Sequence, residues 1–528
     1  MADILIIGSG AAGAAAALQF TSQGIRPIMI DVGYEAGGET PLEENLYDFC
    51  EDNDGFEILV GKDFEGLANL DPGKPPVPAK LTSPRIRFVT GGSEILSPVD
   101  AENFGLIQSF ALGGLGNAWG AGLMRFTDRD LENFPISEAD LHSYYDRLSR
   151  EIGISGANDD LAAYFGEDDN LQPPLNLSLN ASHIMRRYDR KKSDMNKKGV
   201  FIGRPRLGIL TRDLNGRKAF TCNNLEFWQP GLTGVYSPDV TVKKLMREGR
   251  LDYRPGLLAE RWTREGDTLR VRARSVRGGE AHTFECKRLV LAAGAVNSAK
   301  LALSSREDYE TRLTLLDNPA LQFPLVFPHR IGGRLETEAF GLTQLNLIYD
   351  SEDYGLIQGS ILEVTSPPRA EFFSHFPLAA RDNIRLLRYM LPALMVMQVF
   401  FPASAPEGVS LRLTPGGILE IRGKGHAFSK PLVRKLIRIC RSVGALTIYP
   451  MTVFVTPGHG IHYAGTLPMS KNPASAFCCT PEGELSGEPG VFVVDAAVFP
   501  RLPAKNFSFA VMANAMRIAD GIISRGIS

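Results

Sequence analysis

The chain has 528 residues, 22% of them charged and 44% hydrophobic, with 57 Lys plus Arg against 60 Asp plus Glu and a formal net charge of -3. Such a balance describes a globular protein of about three ordinary domains by length and excludes a disordered chain and a nucleic-acid partner. Six cysteines, at positions 50, 222, 286, 440, 478 and 479, form no CxxC pair and are too scattered for a disulfide scaffold, so a reducing, cytoplasmic setting is expected.

The first twenty residues are apolar but carry Asp3, three glycines and no basic stretch, so they are not read as a signal peptide. They read instead as a βαβ opening: a strand over 4–7, a tight turn, an alanine-rich helix ending near Gly24 and a strand over 27–31. The turn is Gly8-Ser9-Gly10-Ala11-Ala12-Gly13, a GxGxxG pattern in the strand-to-helix context that gives it meaning. Gly8 permits the turn, Gly10 lets a pyrophosphate approach the backbone, Gly13 allows close helix packing, and the helix N-terminus supplies N–H donors. Asp31 ends the second strand, where a carboxylate accepts hydrogen bonds from ribose hydroxyls and repels a 2'-phosphate. The fingerprint alone does not choose between NAD and FAD.

Further along, two glycine loops fail as second dinucleotide sites at the third glycine: Gly114-Leu115-Gly116 runs to Trp119, and Gly458-His459-Gly460 runs to Tyr463. One dinucleotide is therefore expected. The apolar runs 288–295 and 491–500 read as buried strands feeding helices, so the nucleotide-binding pieces are discontinuous in sequence. Between 341 and 422 the runs GLTQLNLIYD, YGLIQGSILEV, LMVMQVFFPA, VSLRL and GILEI read as neighbouring antiparallel strands. The stretch 386–403 approaches spanning length, but Arg388, Pro392 and Gln398 make it a buried strand or helix, and membrane contact is not expected.

Four segments together resemble the glucose/methanol/choline (GMC) flavoprotein oxidoreductases: GSGAAG with Asp31-Val32-Gly33, LGGLGNAWGAG at 112–122, LAAGAVNSAKL at 291–301, and HYAGTLPM followed by VFVVDAAVFPRLPAKNFSFAVMANAMRIADGI. The GGLGNAW spacing is most similar to the branch of pyranose oxidases and bacterial sugar and polyol dehydrogenases. The resemblance implies an α/β fold with a Rossmann-like FAD-binding domain (1–160, 211–310 and 457–528) and a substrate domain (161–210 and 311–456) whose large antiparallel sheet is flanked by helices. It also implies FAD contacts at Gly8, Gly10, Ala11, Ala12, Gly13, Asp31, Gly113, Gly114, Asn117, Trp119, Leu258, Ala293, Asp495, Ala496, Asn506 and Phe507. Gly113, Gly114 and Gly116 remove side chains where backbone must lie against a flat ring.

The resemblance assigns the catalytic base to His462, in His462-Tyr463-Ala464-Gly465-Thr466, and the second active-site position to Asn506. An imidazole of ordinary pKa, about 6.5, can take an alcohol proton while the carbinol hydride leaves for flavin N5; an asparagine cannot act as a base but can orient the oxygen. The implied activity is oxidation of a small-molecule CH–OH donor, a sugar, aminosugar or polyol, with oxygen, a quinone or another carrier as electron acceptor and the oligomeric state left open. Two departures stand out. Ala299 occupies a position that is usually proline, and Ala118 stands where a histidine bonds covalently to flavin in the pyranose-oxidase branch, so the FAD is expected to be non-covalent.

Three other functions fit parts of the pattern: sterol-oxidase-like oxidation, a hydroxynitrile-lyase-type reaction with structural FAD, and a non-catalytic flavin-binding protein, the last disfavoured because His462 and Asn506 are both present. His459, His462, Cys478 and Cys479 have no recognised zinc spacing, and no metal is expected. The basic residues Arg186, Arg187, Arg190, Lys191, Lys192, Lys197 and Lys198, interrupted by Asp189 and Asp194, read as a solvated face, as do Arg270, Arg272 and Arg274 on an exposed strand.

Overall fold

The computed structural model describes residues 2–37, 57, 61–62, 81, 83–222, 232–364, 379–404 and 408–526. Cys50 lies outside them, and the other five cysteines are free thiols.

The first sheet begins with the strand Ala2–Ile7, in which Ile4, Leu5, Ile6 and Ile7 are all buried. A continuous apolar run of this kind suits a strand covered on both faces. It pairs in parallel with Ile28–Ile30 on one side and with Ala281–Leu291 on the other; Asp252–Arg254 and Val491–Val493 extend the parallel part. Leu257–Glu265 and Thr268–Ser275 then continue antiparallel from Ala281–Leu291. Strands distant in sequence thus meet in one sheet, as the scattered apolar runs predict.

The helix Ala11–Ser22 packs on this sheet through an almost wholly buried surface in which Ala14 to Ala17 are inaccessible to solvent. Small side chains let it approach both the sheet and the C-terminal helix Ser508–Ser524, which contributes Phe509, Ala510, Ala513 and Met516 to the same core. Each large apolar side chain buried there contributes about 1.5–3 kcal/mol relative to exposure.

A second sheet is antiparallel throughout, in the order Val453–Phe454, Ala320–Val326, Leu394–Phe400, Gly355–Glu363, Thr343–Ser351, Val200–Gly203. One face is covered by the helices Leu179–Asn196 and Lys430–Ser442, both N-capped by serine side chains, at Ser178 and Ser429. Capping by such a hydroxyl is worth about 1 kcal/mol per helix. Three of the five expected neighbouring strands lie here. VSLRL and GILEI do not: Val409–Leu413 and Leu419–Arg422 pair with each other in a third sheet, beside Leu313–Asp317 and Val99–Glu102, and their apolar side chains join the first core. Composition alone marks a strand but not its sheet, because the deciding partners lie about a hundred or more residues away.

The stretch 386–403 divides into the end of the helix Ala380–Met390, a turn at Pro392 and the strand Leu394–Phe400. No helix among the described residues is long and apolar enough to cross a membrane. The arginines 270, 272 and 274 alternate along Thr268–Ser275 and pair with Glu265, Glu285 and Glu260, and the basic residues from Arg186 to Lys198 are exposed on the helix Leu179–Asn196 and just beyond it.

Candidate active site

One cavity of about 670 Å³ runs between the first sheet and the segments that carry His462 and Asn506. It is lined by Gly8, Gly10, Ala11, Ala12, Asp31, Gly113, Gly114, Trp119, Leu258, Ala293, Asp495, Ala496, Asn506, Phe507 and His462. Fifteen of the seventeen anticipated residues therefore share one space. Gly13 and Asn117 stand a layer behind it.

The glycines of the opening turn have separable reasons. Gly8 has φ +100°, and a Cβ there would lie 2.5 Å from the carbonyl oxygen of Ala292. A Cβ on Gly13 would collide with the carbonyl of Gly8, so Gly13 serves helix packing, not contact with a ligand. Gly10 has ordinary backbone angles and nothing within 4 Å of its missing Cβ. Its absent side chain leaves room in the cavity.

Three helices, Ala11–Ser22, Gly294–Ser305 and Ser508–Ser524, begin at the cavity wall, and none has a side-chain cap or an acidic residue in its first turn. The N–H groups and positive dipole ends at these helix starts favour negative groups, and at Gly294–Ser305 the first N–H is already taken by the Asp495 carboxylate. In the loop 112–122, Gly113 and Gly114 take φ +90° and +60°, which glycine tolerates. Gly116 does not; it is small because a Cβ would strike Pro238. Asn117 Nδ2 donates to the carbonyls of Leu112 and Gly114, both at 2.8 Å, closing the loop on itself. Trp119 Nε1 donates to the carbonyl of Tyr236 at 2.8 Å.

Asp31 accepts from the Ser9 backbone N–H at 3.1 Å and from the Ser9 hydroxyl, which in turn accepts from Gly113 N–H at 3.0 Å. Burial pushes the Asp31 carboxyl up to about 6 against these bonds. Asp495 is likewise raised to about 6 by burial, while it accepts from Gly294 N–H and Ala497 N–H at 2.9 Å and from Ser298 Oγ at 2.5 Å. It ties the end of Val491–Val493 to the start of Gly294–Ser305.

The donor set fits FAD. Backbone N–H groups and glycine-sized openings suit a pyrophosphate, Asp31 suits a ribose diol, and the glycine loop with Trp119 suits a flat ring. Gly8, Gly10, Gly113 and Gly114 would hold the cofactor through their backbone, and Asp31 through its carboxylate. Ala118, the position linked to covalent attachment, is buried and has no nucleophilic atom.

At the other end of the cavity, His462 follows Ile461, whose φ of +59° is rare for a β-branched residue. Its ring stacks on Phe400, with centroids 4.4 Å apart and planes at 24°, and meets Phe507 edge-on at 5.2 Å. Nδ1 lies 3.0 Å from Asn318 Oδ1. Asn506 lies against Gly122, where a Cβ would collide with the amide nitrogen. His459 turns away against Gly105, and burial lowers its pKa. Among the described residues no group of three or more His, Cys, Asp or Glu is placed to hold a metal.

Five contributors escape the sequence reading: Ser9, Gly122, Asn318, Phe400 and Lys300. Ser9 sits inside the fingerprint as an unspecified position. Lys300 lines the cavity, donates to Ser97 Oγ at 3.1 Å and is pushed down to about 8 by burial. Asn318 is legible as part of an Asp-Asn-Pro turn, but its partner is 144 positions away.

Comparison with known proteins points to the same cofactor as the donor set does. Residues 453–515 match the GMC oxidoreductase family model and residues 3–49 match the FAD binding domain model. It is 26% identical over 315 residues to 6'''-hydroxyparomomycin C oxidase of Streptomyces lividus, covering 58% of this chain and 50% of that protein. It is 25% identical over 312 residues to paromamine 6'-oxidase of Streptomyces fradiae, covering 58% and 49%. The chain thus spans about half the length of the curated relatives it matches. Two solved structures share the fold across nearly all of both chains: pyridoxine 4-oxidase from Mesorbium loti (15% identity, TM-score 0.58, 99% of each) and the R554A variant of formate oxidase from Aspergillus oryzae RIB40 (14%, TM-score 0.61, 99% and 98%).

Proposed function

We propose that the protein oxidises an alcohol carbon of a small molecule, of the sugar, aminosugar or polyol class, with non-covalent FAD as its cofactor. The observation that carries this reading is the shared cavity: His462 and Asn506 line the same space as Gly8, Gly10 and Asp31. The match to two aminoglycoside oxidases supports an amino-substituted sugar as the first substrate to try.

Bound FAD supplies the two-electron acceptor that a leaving hydride requires. His462 takes the proton of the substrate hydroxyl, and the side-chain amide of Asn506 holds the oxygen as charge develops on it. Phe400 and Phe507 confine the imidazole from its face and its edge. On this reading residues 1–160, 211–310 and 457–528 form the cofactor domain, 161–210 and 311–456 form the substrate domain, and the free thiols suit a reducing, cytoplasmic setting.

The test is a panel of alcohols, led by aminosugars, assayed with a dye acceptor and separately with oxygen. Turnover of at least one such alcohol, with the corresponding carbonyl as product, is expected; a purified flavoprotein that oxidises none would reject the proposal. Acid precipitation is expected to leave a colourless pellet and a yellow supernatant.

A further inference from the structure

The segment that delivers His462 is held from the short corner Asp317-Asn318-Pro319, which joins the strands Leu313–Asp317 and Ala320–Val326. Asp317 Oδ2 accepts from Gly458 N–H at 2.7 Å, at the start of the loop. Asn318, one residue on, meets the imidazole at its end. Between these points Tyr463 Oη donates to the carbonyl of Gly458 at 2.6 Å, and Ile461 adopts its left-handed angle. A β-branched residue in that region costs on the order of 1–3 kcal/mol and persists only when its surroundings impose it. The corner and the tyrosine are what impose it here.

Asn318 is almost fully buried, at 1% exposure. Its Nδ2 donates to the carbonyl of Phe401 at 2.7 Å, to that of Pro503 at 3.1 Å and to that of Leu502 at 3.5 Å. Carbonyl oxygens only accept, so the amide cannot be reversed without setting oxygen against oxygen. Oδ1 must therefore face His462. An amide oxygen also only accepts, so the nitrogen 3.0 Å away, Nδ1, carries the hydrogen. A neutral imidazole has one N–H, and the lone pair is left on Nε2.

We propose that Asn318 is a positioning residue that fixes the Nδ1–H tautomer and the ring orientation of His462, so that Nε2 is the nitrogen that receives the substrate proton. Proton transfer to Nε2 rests on the alcohol-oxidation reading; the tautomer does not. Orientation is transmitted from three backbone carbonyls, through one neutral amide, to the ring.

The direct test is ¹⁵N NMR of the FAD-loaded protein labelled at its eight histidines, with the His462 signals assigned by their loss in His462→Gln. A protonated Nδ1 and bare Nε2 above the titration range are expected; a protonated Nε2 overturns the proposal. The second test is Asn318→Leu, which keeps similar bulk without the amide. It should retain FAD, keep KM for the alcohol within about 3-fold and lower kcat by roughly 10-fold or more, a part of what general-base catalysis supplies. An unchanged kcat with a mixed tautomer population would overturn the positioning role. If Leu at this position prevents folding, the wild-type spectrum still decides the tautomer. If no alcohol reduces the flavin while the spectrum shows Nδ1–H, the functional reading fails and the tautomer assignment stands.

Discussion

The two ends of the cavity are built on opposite plans. At the dinucleotide end the protein presents backbone: Gly8, Gly10, Gly13, Gly113 and Gly114 act through what they lack, and the donors are N–H groups at helix starts. At the imidazole end it presents side chains, His462, Asn318, Phe400 and the adjacent pair Asn506 and Phe507, brought together from four separate segments. Backbone recognition needs consecutive residues in a fixed turn and leaves a local signature. Side-chain recognition needs only that distant elements meet, and leaves none.

The comparison is sharpest in substitution. The largest effect is expected at His462→Ala, where loss of the base should reduce turnover by ~10²- to 10⁴-fold with the flavin spectrum intact. Loss of FAD from that variant would mean the two ends are not separable. A pair of glycine variants probes the other end. Gly13→Ala must displace the Gly8 carbonyl and should destabilise the apoprotein by about 1–3 kcal/mol, as overpacked cores do. Gly10→Ala meets nothing within 4 Å and should leave apoprotein stability within about 0.5 kcal/mol, yet weaken FAD binding about tenfold. Equal melting temperatures for the two apoproteins would contradict this division.

A smaller effect separates the ends by pH. Asp31 has its carboxyl raised to about 6 by burial, and only the ionised form can accept from both hydroxyls of a ribose. Because the group gains a proton as pH falls through about 6, FAD affinity should be flat above about pH 7 and decline below 6; Asp31→Asn should flatten that decline. Titration of cofactor binding by flavin fluorescence checks it. The smallest effect is expected at the basic face: Lys197→Ala with Lys198→Ala, both exposed, should change stability by less than about 0.5 kcal/mol and leave turnover unchanged.

Legibility followed the same division. The strand, turn and helix of 2–22, the carboxylate at 31 and the glycine loop at 112–122 were readable because period, turn chemistry and spacing are local. His462 and Asn506 became readable only through resemblance in the C-terminal segment; a histidine before a turn carries no role by itself. The roles of Asn318, Phe400 and Gly122 at the site were not readable, since they lie in contacts with positions 462 and 506. The same physics misplaced VSLRL and GILEI, whose alternation announces strands while their sheet is chosen by Leu313–Asp317 and Val99–Glu102.

The most direct measurement is an anaerobic half-reaction: the FAD-loaded protein mixed with an aminosugar or polyol that it turns over, with the yellow flavin absorbance followed in time. Bleaching by the alcohol alone, slowed by ~10²-fold or more in His462→Ala, is the predicted result. A flavin that dithionite reduces but the alcohol never does, or equal bleaching rates in the two proteins, would contradict the account.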